Sequence, residues 1–475
     1  MYERGRILKS ANQQLRRAIK GINVKVPLAG KGSRQYINFD NAASTPPLQP
    51  VLEETGDFFN WYSGVHRGTG YKSLISSRIY DECHDIIGRF VGADLSIDSV
   101  VMVKNTTEAI NKLSYRLGLH PRDVVIITDM EHHSNELPWR ARAQVRYARI
   151  NSTGQLDLDH VETLFKQNRG RVKLLSVCGA SNVTGHINQV YTLAKMAHFY
   201  GSPILVDGAQ LVPHQRFDMK PASRPDHIDY LAFSGHKIFA PYGSGVLIGP
   251  RATFTQGIPE YQGGGTIKLV LADKIYWADP PDKEEAGSAN VMGAYALAKT
   301  LQHLVKMDMT ELADYEAGLT DYALDKLGQV PSIQLYGSKP RVGVISFNLT
   351  GMHHAMLGAV LCYEAAIGLR TGCFCAQNYV RQLLGIDPEQ EWETAAANNE
   401  LYRLPGMVRI SLAAYNTKQE IDYLSQWLTT ISENAPEFRR RYRFSAEAGG
   451  FIPTFMSYRD FIDLNVRRCL NVSDS

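Results

Sequence analysis

The sequence predicts an α/β protein in which a large domain, built on a mostly parallel β-sheet, is followed by a smaller α+β domain. Two observations support this prediction. Short apolar runs alternate with helix-like stretches from about residue 38 to 290, and the pattern changes from residue 291 onward. Alternation of strands with helices is typical of α/β domains, whose strands are buried on both faces and therefore have continuous apolar sequences.

The clearest strand-like runs of the large domain are short, rich in β-branched residues and bounded by polar residues or glycine. They are Ser99–Val103, Asp123–Thr128, Val172–Val177, Pro203–Val206, Ile228–Phe233 and Gly245–Ile248. Runs of this kind predict buried strands. Because ligands of such sheets bind beyond the carboxyl ends of the strands, the residues that follow each run are the candidates for a functional site.

The smaller domain begins with a helix predicted over Met292–Met307. Strand-like runs follow at Val342–Leu349 and Val408–Ala413. After the second run, Thr417 and Glu420 have the spacing of a capping box, so we expect another helix to begin there.

We divide the chain into four predicted parts: an N-terminal helical segment (1–35), a large domain (36–290), a small domain (291–435) and a C-terminal extension (436–475). The polar stretch 387–405 is predicted to be a surface insertion in the small domain. The extension contains arginines among aromatic residues, and we expect a solvated basic segment that is docked by its aromatic rings.

The composition argues against several classes of protein. A formal net charge of +3 on 475 residues is too small to indicate nucleic acid as the main partner. No apolar run approaches the ~20 residues of a membrane span, and the N-terminus has no secretory h-region. Six cysteines in so long a chain do not form a disulfide framework, so we expect a cytoplasmic protein. The basic first twenty residues fit either a transit peptide or an amphipathic helix on the domain surface.

Two consecutive predicted strands end in residues that suit one cofactor. Asp207 follows the run Pro203–Val206, and Lys237 lies shortly after Ile228–Phe233. Pyridoxal phosphate (PLP) needs a lysine amine for its aldehyde and a carboxylate for its pyridine nitrogen. Either residue alone would fit a surface lysine or a helix cap, but the pair at neighbouring strand ends predicts a PLP site.

Residues after two other strands could complete that site. Thr106 and Thr107 open a helix, and hydroxyls with free N–H groups at a helix N-terminus bind anions such as phosphate. Ser234 and His236 are close enough in sequence to Lys237 to join them. His132 follows another strand, where its flat ring could stack on the cofactor.

The motifs around these residues resemble those of a known family. The chain contains, in order, INFDNAAST, GVHRG, NTTEAIN, EHHSNELPW, SNVTG, VDGAQ, FSGHK, EAGSAN, RTGCFCA and VRISLAAYNT. These motifs resemble those of the class V aminotransferase-fold enzymes, which are fold-type I PLP-dependent transferases. The nearest branch contains the cysteine desulfurases with a short Cys loop and the selenocysteine lyases, and the similarity runs from about residue 36 to 431.

The resemblance implies a cofactor-binding role for the matching residues. Lys237 would be the Schiff-base lysine, Asp207 the partner of the pyridinium nitrogen and Gln210 the ligand of the ring hydroxyl. His132 would stack on the ring. The phosphate would be bound by Thr107, Ser234 and His236, with Ser288 reaching in from the second subunit of a homodimer.

The resemblance also implies how substrate is bound and converted. Asn182 and His66 would line the pocket, Arg409 would bind the substrate carboxylate, and Arg370 would lie beside the catalytic loop. The thiolate of Cys375 would attack the sulfur of L-cysteine, leaving alanine and an enzyme persulfide whose sulfur passes to an acceptor protein.

The Cys loop departs from the family pattern, because desulfurases often have two histidines where this chain has Cys373 and Phe374. The sequence GCFC also resembles the aminotransferase domains of molybdenum cofactor sulfurases. Cys373 could be a bystander, a second sulfur carrier or an oxidation partner, since residues i and i+2 of an extended loop point the same way. A zinc site is not expected, because there is no second cysteine pair at ligand spacing.

Two other functions remain open from the sequence. A PLP-dependent C–S lyase or selenocysteine lyase of the same fold would depend less on Cys375. A non-catalytic scaffold or sulfur-relay protein could retain the fold, although Lys237, Asp207 and Cys375 are all present. Absorbance of the bound cofactor would distinguish such a scaffold from the enzymes.

Overall fold

The structure is a computed structural model that describes residues 11–30, 32–386, 389–398 and 400–471. Its helices are α1 (residues 11–18), α2 (Gln49–Phe58), α3 (Tyr71–Phe90), α4 (Thr106–Arg116), α5 (Leu137–Arg140), α6 (Leu158–Gln167), α7 (Val190–Phe199), α8 (Arg251–Thr255), α9 (Val291–Lys306), α10 (Met309–Gly328), α11 (His354–Ala365), α12 (Gln377–Leu384), α13 (Glu389–Ala397), α14 (Lys418–Glu433), α15 (Ala435–Arg441) and α16 (Tyr458–Leu470). None of the helices in these ranges combines the length and the apolar character that a bilayer span requires.

The strands of the described residues include those of two larger sheets and several short pairs. In chain order they are β1 (Lys25–Pro27), β2 (Ser33–Gln35), β3 (Ile37–Asn38), β4 (Asp98–Val103), β5 (Val124–Thr128), β6 (Gln144–Ala148), β7 (Val172–Cys178), β8 (Ile204–Asp207), β9 (Tyr230–Ser234), β10 (Gly245–Pro250), β11 (Ile267–Val270), β12 (Ile275–Trp277), β13 (Ile333–Tyr336), β14 (Val344–Leu349), β15 (Ile367–Gly368), β16 (Arg370–Gly372), β17 (Met407–Ser411), β18 (Tyr442–Ser445) and β19 (Gly450–Pro453).

The central sheet has the order β4-β10-β9-β8-β7-β5-β6. Strands β9, β8, β7, β5 and β6 run parallel, whereas β10 is antiparallel to both of its neighbours. The predicted α/β fold with a mostly parallel sheet is therefore confirmed, and each of the six predicted runs forms a strand. Strand β6 was not predicted, because it lies at the edge of the sheet and most of its residues are only half-buried.

Side chains from successive positions of one strand enter two different cores. Ile126 packs in the core that includes α6, α7 and α9, and Ile127 packs in the core that includes α4. Burial on both faces explains why these strands are continuously apolar. Helix α1 joins the first of these cores through Leu15, and its Arg16 pairs with Glu420, as expected for an amphipathic helix on the domain surface. The arginines at positions 4 and 6 lie outside the described residues.

The smaller domain contains an antiparallel sheet of order β13-β14-β17-β16. Helices α10, α11 and α14 pack with it in one core, and the predicted capping box of Thr417 and Glu420 starts α14. The C-terminal extension joins the same core through Phe438, Tyr442 and Ile452. Phe438 and Tyr442 are thus buried, as predicted, whereas Phe444 is half-buried and the neighbouring Arg439, Arg440 and Arg443 are exposed.

Candidate functional site

A cleft of about 250 Å³ opens at the carboxyl ends of β4, β5, β8 and β9. Its other wall is formed by the smaller domain, with Arg370 on β16, Arg409 on β17 and the Cys loop between them. It brings together most of the site residues predicted from the sequence: Thr106, Thr107, His132, Asn182, Asp207, Gln210, Ser234, His236, Lys237, Arg370, Cys375 and Arg409.

Asp207 and Lys237 reach the cleft from the adjacent parallel strands β8 and β9. Asp207 is buried, and its Oδ1 accepts a hydrogen bond from the Ala209 backbone N–H at 2.9 Å. Burial raises the pKa of Asp207, while the charge of Lys237 acts in the opposite direction. Burial lowers the pKa of Lys237 to about 8, although the charge of Asp207 opposes this shift. A buried acid and an amine that readily loses its proton therefore share one cleft.

The lowered pKa of Lys237 predicts how its reactivity in the cofactor-free protein depends on pH. Only the neutral amine is a nucleophile, so modification by a small amine-directed reagent should accelerate with pH and level off above a pH of about 8. Below that value the rate should fall about tenfold per pH unit. Peptide mass spectrometry would follow the modified residue. A rate still rising steeply well above pH 8, as the ordinary lysine pKa of 10.5 requires, would contradict the prediction.

Hydroxyl groups gather at the N-terminus of α4. The Thr106 backbone N–H donates to Ser234 Oγ at 2.8 Å, and the two hydroxyls of these residues lie 2.7 Å apart. The hydroxyls of Thr107 and Ser134 are also 2.7 Å apart. Asn105 caps the helix by accepting from the Glu108 backbone N–H. Hydroxyl donors at the positive end of a helix dipole form a site that fits a phosphate group.

His132 follows β5 and lines the cleft as a neutral ring. Burial lowers the pKa of His132 to about 3, and the positive charges of Lys237 and Arg409 add to that shift. The Ser134 backbone N–H donates to its Nδ1 at 3.1 Å, which places the ring proton on Nε2. An uncharged imidazole fixed in this way is suited to stack on an aromatic ring.

Arg409 and Arg370 share one carboxylate, that of Asp40. Arg409 is buried and donates to Asp40 Oδ1 at 3.0 Å and to the Asn182 carbonyl at 2.9 Å. Arg370 donates to Asp40 Oδ2 at 3.1 Å. Burial lowers the pKa of Arg409 to about 10, with Asp40 opposing the shift. The buried Arg409 Nε has no hydrogen-bond partner among the described residues.

The Cys loop forms a tight turn rather than the extended segment that we expected. The Ala376 backbone N–H donates to the Cys373 carbonyl at 2.9 Å, and both residues between them, Phe374 and Cys375, have positive φ (53° and 54°). Because the loop is a turn, the argument that an extended loop points both cysteine side chains the same way does not apply to it. Cys375 lines the cleft, whereas Cys373 lies 3.8 Å from the Pro405 carbonyl.

Comparison with known proteins shows the family to which the chain belongs. The model of the aminotransferase class-V family matches residues 37–424. The chain belongs to the class-V aminotransferases. A cysteine desulfurase of Serratia proteamaculans is 35% identical over 405 residues, which are 83% of this chain and 93% of that protein. A cysteine desulfurase of Haloferax volcanii is 34% identical and covers 82% of this chain and 87% of its own length.

Solved structures of cysteine desulfurases also resemble this chain. The apo structure of a cysteine desulfurase from Thermococcus onnurineus has a TM-score of 0.73 and 30% identity, and covers 84% of this chain and 95% of its own. The cysteine desulfurase CsdA of Escherichia coli, in an S-sulfonic acid form, has a TM-score of 0.73 and 27% identity. The match covers 90% of this chain and 98% of CsdA. The resemblance to the class V aminotransferase fold and to cysteine desulfurases, inferred from the motifs, is confirmed.

Two predicted site residues of this class-V aminotransferase lie outside the cleft of the single chain. His66 and Ser288 line a second cavity together, and His66 Nε2 is 3.0 Å from Asp81 Oδ1. Ser288 was expected to act from a second subunit, whereas His66 was expected to line the pocket, and the single chain does not bring it there.

Sequence reasoning missed two residues that organise the cleft. Asp40, which holds both arginines, lies within the INFDNAAST motif but was given no role. Glu131 is buried beneath the cleft, where it accepts hydrogen bonds from the Cys178 backbone N–H at 2.9 Å and from Asn135 at 2.7 Å. Burial raises the pKa of Glu131 to about 7. The only available signal was its position between β5 and His132, a position that also fits a structural residue.

Proposed function

We propose that this chain is a PLP-dependent cysteine desulfurase that converts L-cysteine to L-alanine and keeps the sulfur as a persulfide on Cys375. The observation that carries the proposal is the position of Cys375, which lines the same cleft as Lys237 and Asp207 and remains exposed to solvent. A lysine and an acid alone would fit many PLP enzymes. A thiol held beside them adds a nucleophile that can take and pass on sulfur.

The residues of the cleft fit PLP. Gln210 lines it, its Nε2 donates to the Ala42 carbonyl at 2.7 Å, and its buried Oε1 has no partner among the described residues. The hydroxyls of Thr106, Thr107 and Ser234, together with His236, would hold the phosphate. Asp207 would hold the ring nitrogen, and His132 would stack on the ring face. Bound PLP supplies an electron sink for the bonds at the substrate Cα.

The remaining polar groups would position the substrate. The Arg409 guanidinium would bind the substrate carboxylate, with Asn182 beside it and Arg370 at the exposed side of the cleft. The Lys237 amine, whose pKa is lowered to about 8, would move the proton at Cα at neutral pH. The Cys375 thiolate would take the substrate sulfur, and because this residue is exposed, an acceptor protein could reach the persulfide.

We further propose a cytoplasmic homodimer. Large apolar side chains are exposed near the second cavity, including Trp61, Tyr62, Tyr71, Leu269 and Tyr276. Burial of such side chains is a common driving force for association. Pairing through this surface would allow the partner's Ser288 to reach the phosphate site. The cytoplasmic location rests on the cysteine content of the chain.

The deciding experiment is to incubate the purified protein with PLP and L-cysteine and to measure alanine and sulfur together. A desulfurase should form alanine and sulfur in equal amounts, with part of the sulfur bound to protein until a reductant is added. A C–S lyase that eliminates sulfur would instead form pyruvate, ammonia and sulfide without alanine, and a non-catalytic scaffold would form neither set of products. Either of these outcomes would refute the proposal.

A further inference from the structure

A second group of reactive side chains lies at the amino ends of β8 and β9, on the side of the central sheet opposite to the cleft. Asp229 immediately precedes β9, whose other end leads to Lys237, and His227 lies two residues before it. His198 is in the last turn of the neighbouring helix α7. Among the described residues, this is the only group of three His, Cys, Asp or Glu side chains whose possible metal-ligand atoms all lie within 4.8 Å of one another.

Both imidazole rings of this group donate from Nδ1. His198 Nδ1 is 2.9 Å from the Pro225 carbonyl, and His227 Nδ1 is 2.6 Å from the Arg224 carbonyl. A carbonyl oxygen only accepts, so each Nδ1 must carry the hydrogen. In a neutral ring, Nε2 then carries a lone pair and no proton.

Each of these Nε2 atoms faces a carboxylate oxygen, which is also an acceptor. His198 Nε2 lies 2.8 Å from Asp229 Oδ2, and His227 Nε2 lies 3.2 Å from Asp229 Oδ1. The contacts are favourable only if a cation or a second ring proton lies between the atoms. The two rings are stacked with their centroids 4.2 Å apart, and each Nε2 faces a different oxygen of the same carboxylate.

We propose that His198, His227 and Asp229 bind a divalent transition-metal ion of the zinc class. Zinc takes imidazole nitrogens and carboxylate oxygens, whereas calcium and magnesium prefer all-oxygen sites. Metal-bound histidines almost always donate their other N–H to a carbonyl or carboxylate, as both rings do here. Tetrahedral bonds of zinc place ligand atoms about 3.3 Å apart, close to the 2.8 and 3.2 Å that separate the two Nε2 atoms from the Asp229 oxygens.

The surroundings favour a site that is held in place but open to solvent. The Ile204 backbone N–H fixes Asp229 by donating to Oδ2 at 2.9 Å. The side chains of His198, His227 and Asp229 are 20%, 19% and 16% exposed, so water can complete the coordination shell. The ion would join the end of α7 to the start of β8 and β9. No cysteine takes part, which is why a search for paired cysteines in the sequence could not find this site.

The test uses the untagged, PLP-loaded protein without cysteine, titrated with Co²⁺ as a spectroscopic probe and with Zn²⁺ by calorimetry. We expect one ion per chain, with the d–d absorption of a nitrogen–oxygen site and without the charge-transfer band that a thiolate ligand produces. His198→Ala and His227→Ala should each weaken binding at least about tenfold. Zinc should raise the melting temperature of the wild type but not of these variants.

His303→Ala is the matched control. His303 Nε2 forms a comparable contact with Glu54 Oε1 at 3.0 Å, but among the described residues no group of three possible metal ligands forms there, so this variant should bind as the wild type does. The proposal is overturned if the wild type binds no ion, if both histidine variants bind as tightly as the wild type, or if the spectrum shows thiolate ligands alone. Because no substrate is present, none of these outcomes depends on whether the protein is a desulfurase.

Discussion

Lys237→Ala is expected to lower the rate of alanine formation from L-cysteine by roughly 10³-fold or more. The variant lacks both the amine that attaches the cofactor and the group that moves the proton at Cα, and each of these contributions is large. The measurement is alanine release under saturating PLP. Borohydride reduction of the wild type, followed by peptide mass spectrometry, should locate the cofactor on Lys237.

Lys166→Ala provides the control, because Lys166 is an exposed lysine of α6 that pairs with Glu162 and lines neither the cleft nor the second cavity. It should retain wild-type turnover and wild-type cofactor attachment. Attachment of the cofactor to another lysine in the wild type, or turnover by Lys237→Ala close to that of the wild type, would remove Lys237 from its proposed role.

The part of the site on the large domain could be predicted because its residues follow buried strands. Asp207 and Lys237 come after continuous apolar runs, and parallel strands bring their carboxyl ends to one edge of a sheet. That argument depends only on sequence order and strand direction. The edge strand β6 could not be recognised in the same way, since its half-buried residues give no continuous apolar run.

The part of the site that depends on contacts between distant segments could not be predicted. Asp40 precedes the large sheet, yet it holds Arg370 and Arg409 of the smaller domain. His198 meets His227 and Asp229 only after α7 folds against the sheet. In each case the residue types are common, and their relationship appears only when elements that are separate in the sequence are brought together.

The backbone conformation of the Cys loop could not be predicted from the sequence either. Phe374 and Cys375 both have positive φ, which for residues other than glycine is strained by about 1–3 kcal/mol each. Three contacts hold the turn: Asn182 donates to the Phe374 carbonyl at 2.7 Å, the His133 backbone N–H donates to the Cys375 carbonyl at 2.7 Å, and Arg409 lies over the Phe374 ring. The residues that impose the strain thus also line the cleft or adjoin it.

The two cysteines of the loop consequently have different surroundings. Burial raises the pKa of Cys373 to about 11, so at neutral pH this side chain remains a thiol. A thiol is a poor nucleophile compared with a thiolate. Cys373 is therefore disfavoured as the group that attacks the substrate. Of its three possible roles, that of bystander is the one that needs no reactive thiol.

Cys375→Ala is expected to lower alanine formation from L-cysteine by ~10²-fold or more, equivalent to a barrier at least ~2.7 kcal/mol higher. The variant still has Lys237, Asp207 and Arg409, so it should bind the cofactor and the substrate as the wild type does. It lacks only the group that takes the sulfur. Alanine release and the absorbance change on adding cysteine would measure the two steps separately.

Cys373→Ala is the matched control, because it removes the other thiol of the same turn, two residues before Cys375. It should retain most alanine formation, and mass spectrometry after a cysteine pulse should find the added sulfur on Cys375. Selenocysteine provides a second comparison: selenium leaves without help from a thiolate, so a selenocysteine lyase would keep that activity in Cys375→Ala. If Cys375→Ala instead releases alanine from cysteine at the wild-type rate, the sulfur is taken by another acceptor and Cys375 does not have its proposed role.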